Sequence, residues 1–237
     1  KSAAAPDAGS NYNVIVGEGA MGNGTLADAT ENVAIGYRAG ANTTTSDKNV
    51  LIGMQSGQLI TTGNQNTYVG QDSGRYQVLG QNNVAVGQTA GQYATGSNNT
   101  FVGSSAGKGV SSAPFSSGQN NTALGYQALT AFTTSGENVV VGFEAADAIT
   151  TGGNNVVMGY RGLTAATTAN NNVAIGKDVM ENVPSGQAVA NVVAIGVAAV
   201  KGAGGTTTGI DGTVGIGTSA LTALTSGANN IAIGFQA

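Results

Sequence analysis

Glu144 and Asp147, three residues apart in a stretch otherwise sparse in charge, are the side chains best placed to share a proton. The chain has no histidine and no cysteine, so general acid–base or nucleophilic chemistry would fall to carboxylates or an activated lysine. A solvated rim explains this pair more cheaply, and the reading is of a protein that is not an enzyme. A second chemical motif is Gly17-Glu18-Gly19-Ala20-Met21-Gly22, which follows the apolar run Val14-Ile15-Val16 and copies a dinucleotide fingerprint on paper. That fingerprint works only where a helix begins, so that its N-terminus meets the pyrophosphate. Here another strand-like segment follows a polar, glycine-containing stretch, and nucleotide binding is not expected. Beyond the first forty residues the aspartates are Asp47, Asp72, Asp147, Asp178 and Asp211, which share no repeat position. A calcium-binding roll would need them to recur, and soft-metal sites lack ligands altogether. The sequence therefore assigns no metal and no cofactor.

What does recur is a pentapeptide, seen most plainly as Asn172-Val173-Ala174-Ile175-Gly176. It ends at Gly17, Gly36, Gly53, Gly70, Gly87, Gly103, Gly125, Gly142, Gly159, Gly176, Gly196, Gly217 and Gly234, a period of seventeen with occasional insertions. So short a period of strand-forming residues means a solenoid. Three residues before each glycine stands Val, Ile or Thr, and one residue before it an aliphatic side chain. Being two apart, they share one face of a strand, while the residue between them, such as Ala34, Leu51, Tyr68 or Phe101, takes the other. Both faces avoid water. A coil of seventeen residues covers one of them, which leaves the second for another chain. An oligomer is expected.

The expected fold is all-β: a parallel β-solenoid of about thirteen coils, roughly 60 Å long at about 4.8 Å per coil. Residues 1–12 read as an N-terminal linker or cap, and 13–237 as the repeat domain. The last coil breaks off at Gly234-Phe235-Gln236-Ala237 with an open strand edge, so it is expected to be continued or capped. A composition of 39 glycines, 8% charged residues and no tryptophan suits coils that bury one another rather than one large core. Eight scattered basic residues and a net charge of -4 leave no footprint for nucleic acid. No run of eighteen apolar residues exists to cross a membrane.

Within the coil, the third residue after the glycine is Ala, Ser or Gly in all copies but one, Val179, which implies a close approach of backbones. The fourth is glycine in the first half (Gly40, Gly57, Gly74, Gly91, Gly107) and then Leu129, Ala146, Leu163, Met180, Val200 and Leu221, so the second half is expected to be more tightly filled. Asn opens eleven pentapeptides, among them Asn32, Asn49, Asn66, Asn83, Asn138, Asn155 and Asn172. Their amides are expected to hold the turn as a structural ladder from coil to coil. Thr recurs eight residues after the glycine (Thr44, Thr61, Thr95, Thr133, Thr150, Thr167, Thr225). Its Thr-Thr pairs before Gly read as turn chemistry rather than a flat ice-binding array. The longest insertion runs from Lys108 to Gln119 and contains Pro114 and Phe115. Insertions in a solenoid map to loops, often the binding side. Lys108, Pro114 and Phe115 are therefore the candidate receptor-contact loop, with Phe115 either touching a partner or packing back on its own coil.

The repeated Asn-Val-Ala-Ile-Gly at Asn32 to Gly36, Asn172 to Gly176 and, as Asn230-Ile231-Ala232-Ile233-Gly234, at the end resembles the head repeat of YadA-like trimeric autotransporter adhesins. It is similar also to the repeats of trimeric phage tail fibres. The resemblance covers about residues 13 to 237, although the repeat here is longer than in the usual adhesin head, which implies an enlarged outer turn. It implies three parallel left-handed β-rolls around a common axis, a homotrimer. It further implies an extracellular protein at a cell surface or in a virion tail fibre. Its partners would be a cell-surface receptor or glycan, and other fibre or virion proteins at its ends. The alternative is a purely structural virion or surface-layer component with no receptor site of its own.

Overall fold

The computed structural model describes residues 12–23, 26–184, 188–204 and 207–237. All but Tyr12 of the expected linker or cap, residues 1–12, lies outside the described residues. The chain is all-β, a parallel β-solenoid of about thirteen turns with no helix among the described residues. It divides into two compact units, Lys1–Gln119 and Asn120–Ala237, the boundary falling at the end of the longest insertion.

Unit 1 carries β1 (Val14–Val16), β2 (Val33–Ile35), β3 (Val50–Ile52), β4 (Thr67–Val69), β5 (Val84–Val86) and β6 (Thr100–Val102). Unit 2 carries β7 (Thr122–Leu124), β8 (Val139–Val141), β9 (Val156–Met158), β10 (Val173–Ile175), β11 (Val193–Ile195), β12 (Val214–Ile216) and β13 (Ile231–Ile233). Within each unit every strand pairs in parallel with the next, position for position: Val33 with Val50, Ala34 with Leu51, Ile35 with Ile52, and likewise Val173 with Val193. The register is set by the repeat itself, since a slip of one residue would turn the buried middle side chain outward. In β2 to β6 that middle residue is buried and its two neighbours are half-exposed.

Each strand ends on a glycine for two physical reasons. Its φ is positive, from 126° at Gly17 to 142° at Gly142. A Cβ there would also collide with the carbonyl of the next coil's glycine, 2.5 Å away at Gly36, Gly53 and Gly70. The chain then turns, and the small third residue is fully buried, as at Ala39, Ser56, Ala106 and Ala145. Val179, the large exception, is accommodated by Gly162 one coil earlier, where a Cβ would stand 3.1 Å from a Val179 methyl carbon.

The core is filled by exchange between the middle strand residue and the fourth residue after the glycine. In unit 1 the strand supplies the bulk: Leu51, Tyr68 and Phe101 are buried, and a Cβ on Gly57 or Gly74 would meet Leu51 at 2.7 Å or the Tyr68 ring at 2.6 Å. In unit 2 the strand residue is often small, Ala123, Ala174 or Gly215, and Leu129, Met180 and Leu221 stand at the fourth position. Bulk is thus exchanged between the two positions, Phe101 standing with Gly107 in unit 1 and Ala123 with Leu129 in unit 2. Two coils of unit 1 are small at both positions, that of β2 with Ala34 and Gly40 and that of β5 with Ala85 and Gly91. In the latter a cavity of about 10 Å³ lies beside Tyr68, Gln77 and Phe101, room for a single water at most.

Candidate functional site: the surface of the coils

The side chains that could do chemistry are brought together in ways that hold the fold. Asn49 donates from Nδ2 to Asn32 Oδ1 at 3.1 Å and to the Gly63 carbonyl at 2.9 Å, while its backbone N–H donates to the same Asn32 Oδ1 at 3.0 Å. The pattern repeats at Asn66 and Asn83, and in unit 2 at Asn138, Asn155 and Asn172. All of these asparagines are buried. Each amide thus satisfies a backbone donor of the next coil and a carbonyl across the turn, closing groups that burial would otherwise leave unpaired. At Val192 only the backbone N–H continues the pattern, donating to Asn172 Oδ1 at 2.9 Å.

The turn itself is made by the residue before the ladder asparagine. Glu31, Lys48, Gln65, Asn82, Asn98, Asn154 and Asn171 have φ between 55° and 59°. Asparagine tolerates this left-handed region better than other side chains. In pairs such as Asn154-Asn155 the two roles are therefore split: the first turns the chain and the second bonds the coils. The threonine hydroxyls are also spent internally, Thr44 Oγ1 donating to the Thr61 carbonyl at 3.0 Å and Thr133 Oγ1 to that of Thr150 at 2.9 Å.

Phe115 packs back on unit 1. Its ring lies 5.8 Å from Tyr93 and 5.1 Å from Tyr76, centroid to centroid, continuing a ladder in which Tyr76 and Tyr93 are 4.8 Å apart. The backbone explains why: Tyr93 N–H donates to the Lys108 carbonyl at 2.8 Å, the chain leaves the coil, and Ser116 N–H returns to the Tyr93 carbonyl at 3.1 Å. Phe115 and Lys108 are each half-buried, and the exposed part of this insertion is Ser111 to Pro114. The next longest insertions, Glu181 to Ala190 and Gly202 to Gly212, contain residues outside the described set.

Glu144 and Asp147 sit on unit 2 beside Arg161. Arg161 Nε lies 3.8 Å from Glu144 Oε2 and its Nη2 3.2 Å from Glu181 Oε1, while Lys201 Nζ reaches Glu181 Oε2 at 2.8 Å. Burial, then the neighbouring Glu144 charge, raises the Asp147 carboxyl above its ordinary value, with Arg161 opposing. Asp147 Oδ1 is buried without a hydrogen-bond partner. No cluster of three metal-ligating side chains occurs among the described residues. At Gly17 to Gly22 the chain enters a turn, with Ala20 N–H donating to the Gly17 carbonyl at 3.2 Å, so no helix N-terminus is offered to a phosphate. Deep in unit 1, burial pushes the Tyr68 phenol above its usual range, its hydroxyl bonded to Asn83 and Gln77.

Apolar side chains are among those open to solvent. The flanking strand side chains, Val173 and Ile175 and their counterparts, point away from the coil interior, and Leu124 and Met158 are 46% and 40% exposed. One feature escaped the sequence reading: the first residue after the strand glycine is aromatic in three successive coils of unit 2, Tyr126, Phe143 and Tyr160. Their seventeen-residue spacing was the available signal. Compared with family models, curated proteins and solved structures, the chain matches none.

Proposed function

We propose that this chain is a structural and adhesive segment of a homotrimeric fibre, extracellular or carried on a virion, that projects an attachment device toward a host or surface. The observation that carries the reading is the row of half-exposed Val, Ile, Leu and Met side chains on the outward strand face. Within each unit these side chains line an apolar row along the strands, the kind of surface that marks a contact site. Burying the row between three copies removes it from water, and identical coils place like rows opposite one another. The resemblance of the Asn-Val-Ala-Ile-Gly repeat to trimeric adhesin heads and tail fibres supports parallel, left-handed rolls about a shared axis. Attachment would come from many weak contacts on three chains, strengthened by multivalency. Receptors or glycans are the expected surface partners, with other fibre proteins at the ends.

Retention of the fluorescently labelled chain on candidate host surfaces tests the adhesive part. Retention that is competed by unlabelled chain supports it. Absence of retention on every surface, with attachment mapped to another polypeptide, selects the alternative of a purely structural spacer.

A further inference from the structure

The pairing between coils does not stop where the strands end. The Leu124 carbonyl accepts Gly142 N–H at 2.8 Å, and two residues on the Tyr126 carbonyl accepts Glu144 N–H at 2.9 Å. Val141 and Phe143 accept Gly159 and Arg161 in the same way, and in unit 1 Ile35 and Tyr37 accept Gly53 and Gln55 at 2.8 Å. Alternate residues of a strand line one face. The residue after the glycine therefore takes the next place in the alternate set that holds the outward strand side chains. Exposure agrees: Tyr37, Met54, Tyr126, Phe143, Tyr160 and Val197, all in this column, are 41–47% exposed. Among the described residues, the large apolar side chains most open to solvent stand in this column or on the strand flanks, apart from Tyr12, Val78 and Leu79.

Strand flanks and column thus adjoin as one apolar face whose rows recur once per coil. A partner for such a face needs apolar rows at the same spacing, and a second copy of this chain has them. The strand flanks alone leave one question open. They are so alike from coil to coil that a copy displaced by one coil, about 4.8 Å, would bury them almost as well. The column after the glycine is not alike. In unit 1 it runs Tyr37, Met54, then Gln71 and Gln88, and in unit 2 Tyr126, Phe143, Tyr160, then Lys177. Displacement by one coil would set Met54 against Gln71 and Tyr160 against Lys177, whereas copies in step keep apolar blocks together.

We propose that the residues after the strand glycines extend the contact between copies of this chain and fix its axial register. This deepens the trimeric reading and rests on it. The test oxidises the full chain with hydrogen peroxide and follows each methionine by mass spectrometry. Met54 stands in the column and Met158 on a strand flank, 42% and 40% exposed in the single chain, while Met21 and Met180 are buried. In the assembled protein both Met54 and Met158 are expected to oxidise roughly tenfold more slowly than in the unfolded chain, as the buried pair does. Slow Met158 with fast Met54 overturns the proposal and leaves the trimeric reading standing. Fast oxidation of both, with sedimentation at the mass of one chain, removes that reading as well. Register is read from a spin label on Thr134→Cys, an exposed site in a chain with no other cysteine. The label-to-label distances are expected to form one narrow population. They should spread in the combined variant Tyr126→Gln, Phe143→Gln and Tyr160→Gln, with circular dichroism unchanged. A single unchanged distance in that variant overturns the role in register.

Discussion

The asparagine pairs show how much a single position in the repeat can carry. Asn138 Oδ1 accepts from both the amide and the backbone of Asn155, and Asn155 Nδ2 also reaches the Ala169 carbonyl at 2.7 Å. Asn155→Ala leaves several buried groups unpaired and is expected to cost about 2–4 kcal/mol in denaturant unfolding. Asn154, exposed at φ 59°, only turns the chain, so Asn154→Gly is expected to change stability by less than about 1 kcal/mol. Equal losses from the two variants would refute the division of roles. Asp147 supplies a pH test. Its raised carboxyl means the fold disfavours the charged form, so the stability it withholds returns as pH falls through the raised value toward the ordinary carboxylate range. Asp147→Asn should therefore melt higher than the parent at neutral pH, with the gap closing in acid. A gap that widens in acid would reverse the sign.

At the level of the coil, bulk is exchanged across the interior, and a pair of substitutions can imitate one unit in the other. A Cβ on Gly107 would fall against the Phe101 ring, whereas Ala123 in unit 2 leaves space that Leu129 takes. Phe101→Ala alone is expected to lose roughly 3–5 kcal/mol to a cavity, and Gly107→Leu alone roughly 1–3 kcal/mol or more to overpacking. Combined, they should recover by at least about 1 kcal/mol over the sum, measured as a double-mutant cycle; strict additivity would show that the two positions do not share one space. The same pairs explain what the sequence could convey. Strand placement and register were legible because Val, Ala and Ile recur at fixed distance from a glycine. The exchange was half legible: glycine giving way to Leu129 or Met180 was visible, but its complement lay in the strand, as Phe101 or Ala123. Gln77 was not legible, since nothing in its context marks a buried amide that donates to the Gly96 carbonyl at 2.8 Å and receives Gly80 N–H at 2.9 Å. For Phe115 the sequence left contact and packing back both open, and the return of Ser116 N–H to the Tyr93 carbonyl is what brings its ring onto Tyr76 and Tyr93.

For the whole molecule, the decisive quantity is what covers the outward strand face. The coil interior closes without Val193 and Ile195, whose side chains lie half-exposed beside the buried Ala194. Charging that face through Val193→Glu and Ile195→Glu should leave the β-sheet circular dichroism of the chain intact while abolishing association, because like charges would meet between copies. Unfolding of the variant at every concentration would instead place those side chains in the core of a single chain. The central claim is tested most directly by sedimentation equilibrium of the unmodified protein. The account predicts a folded species of three times the 23.1 kDa chain mass that persists on dilution. A folded, stable species at 23.1 kDa would contradict it.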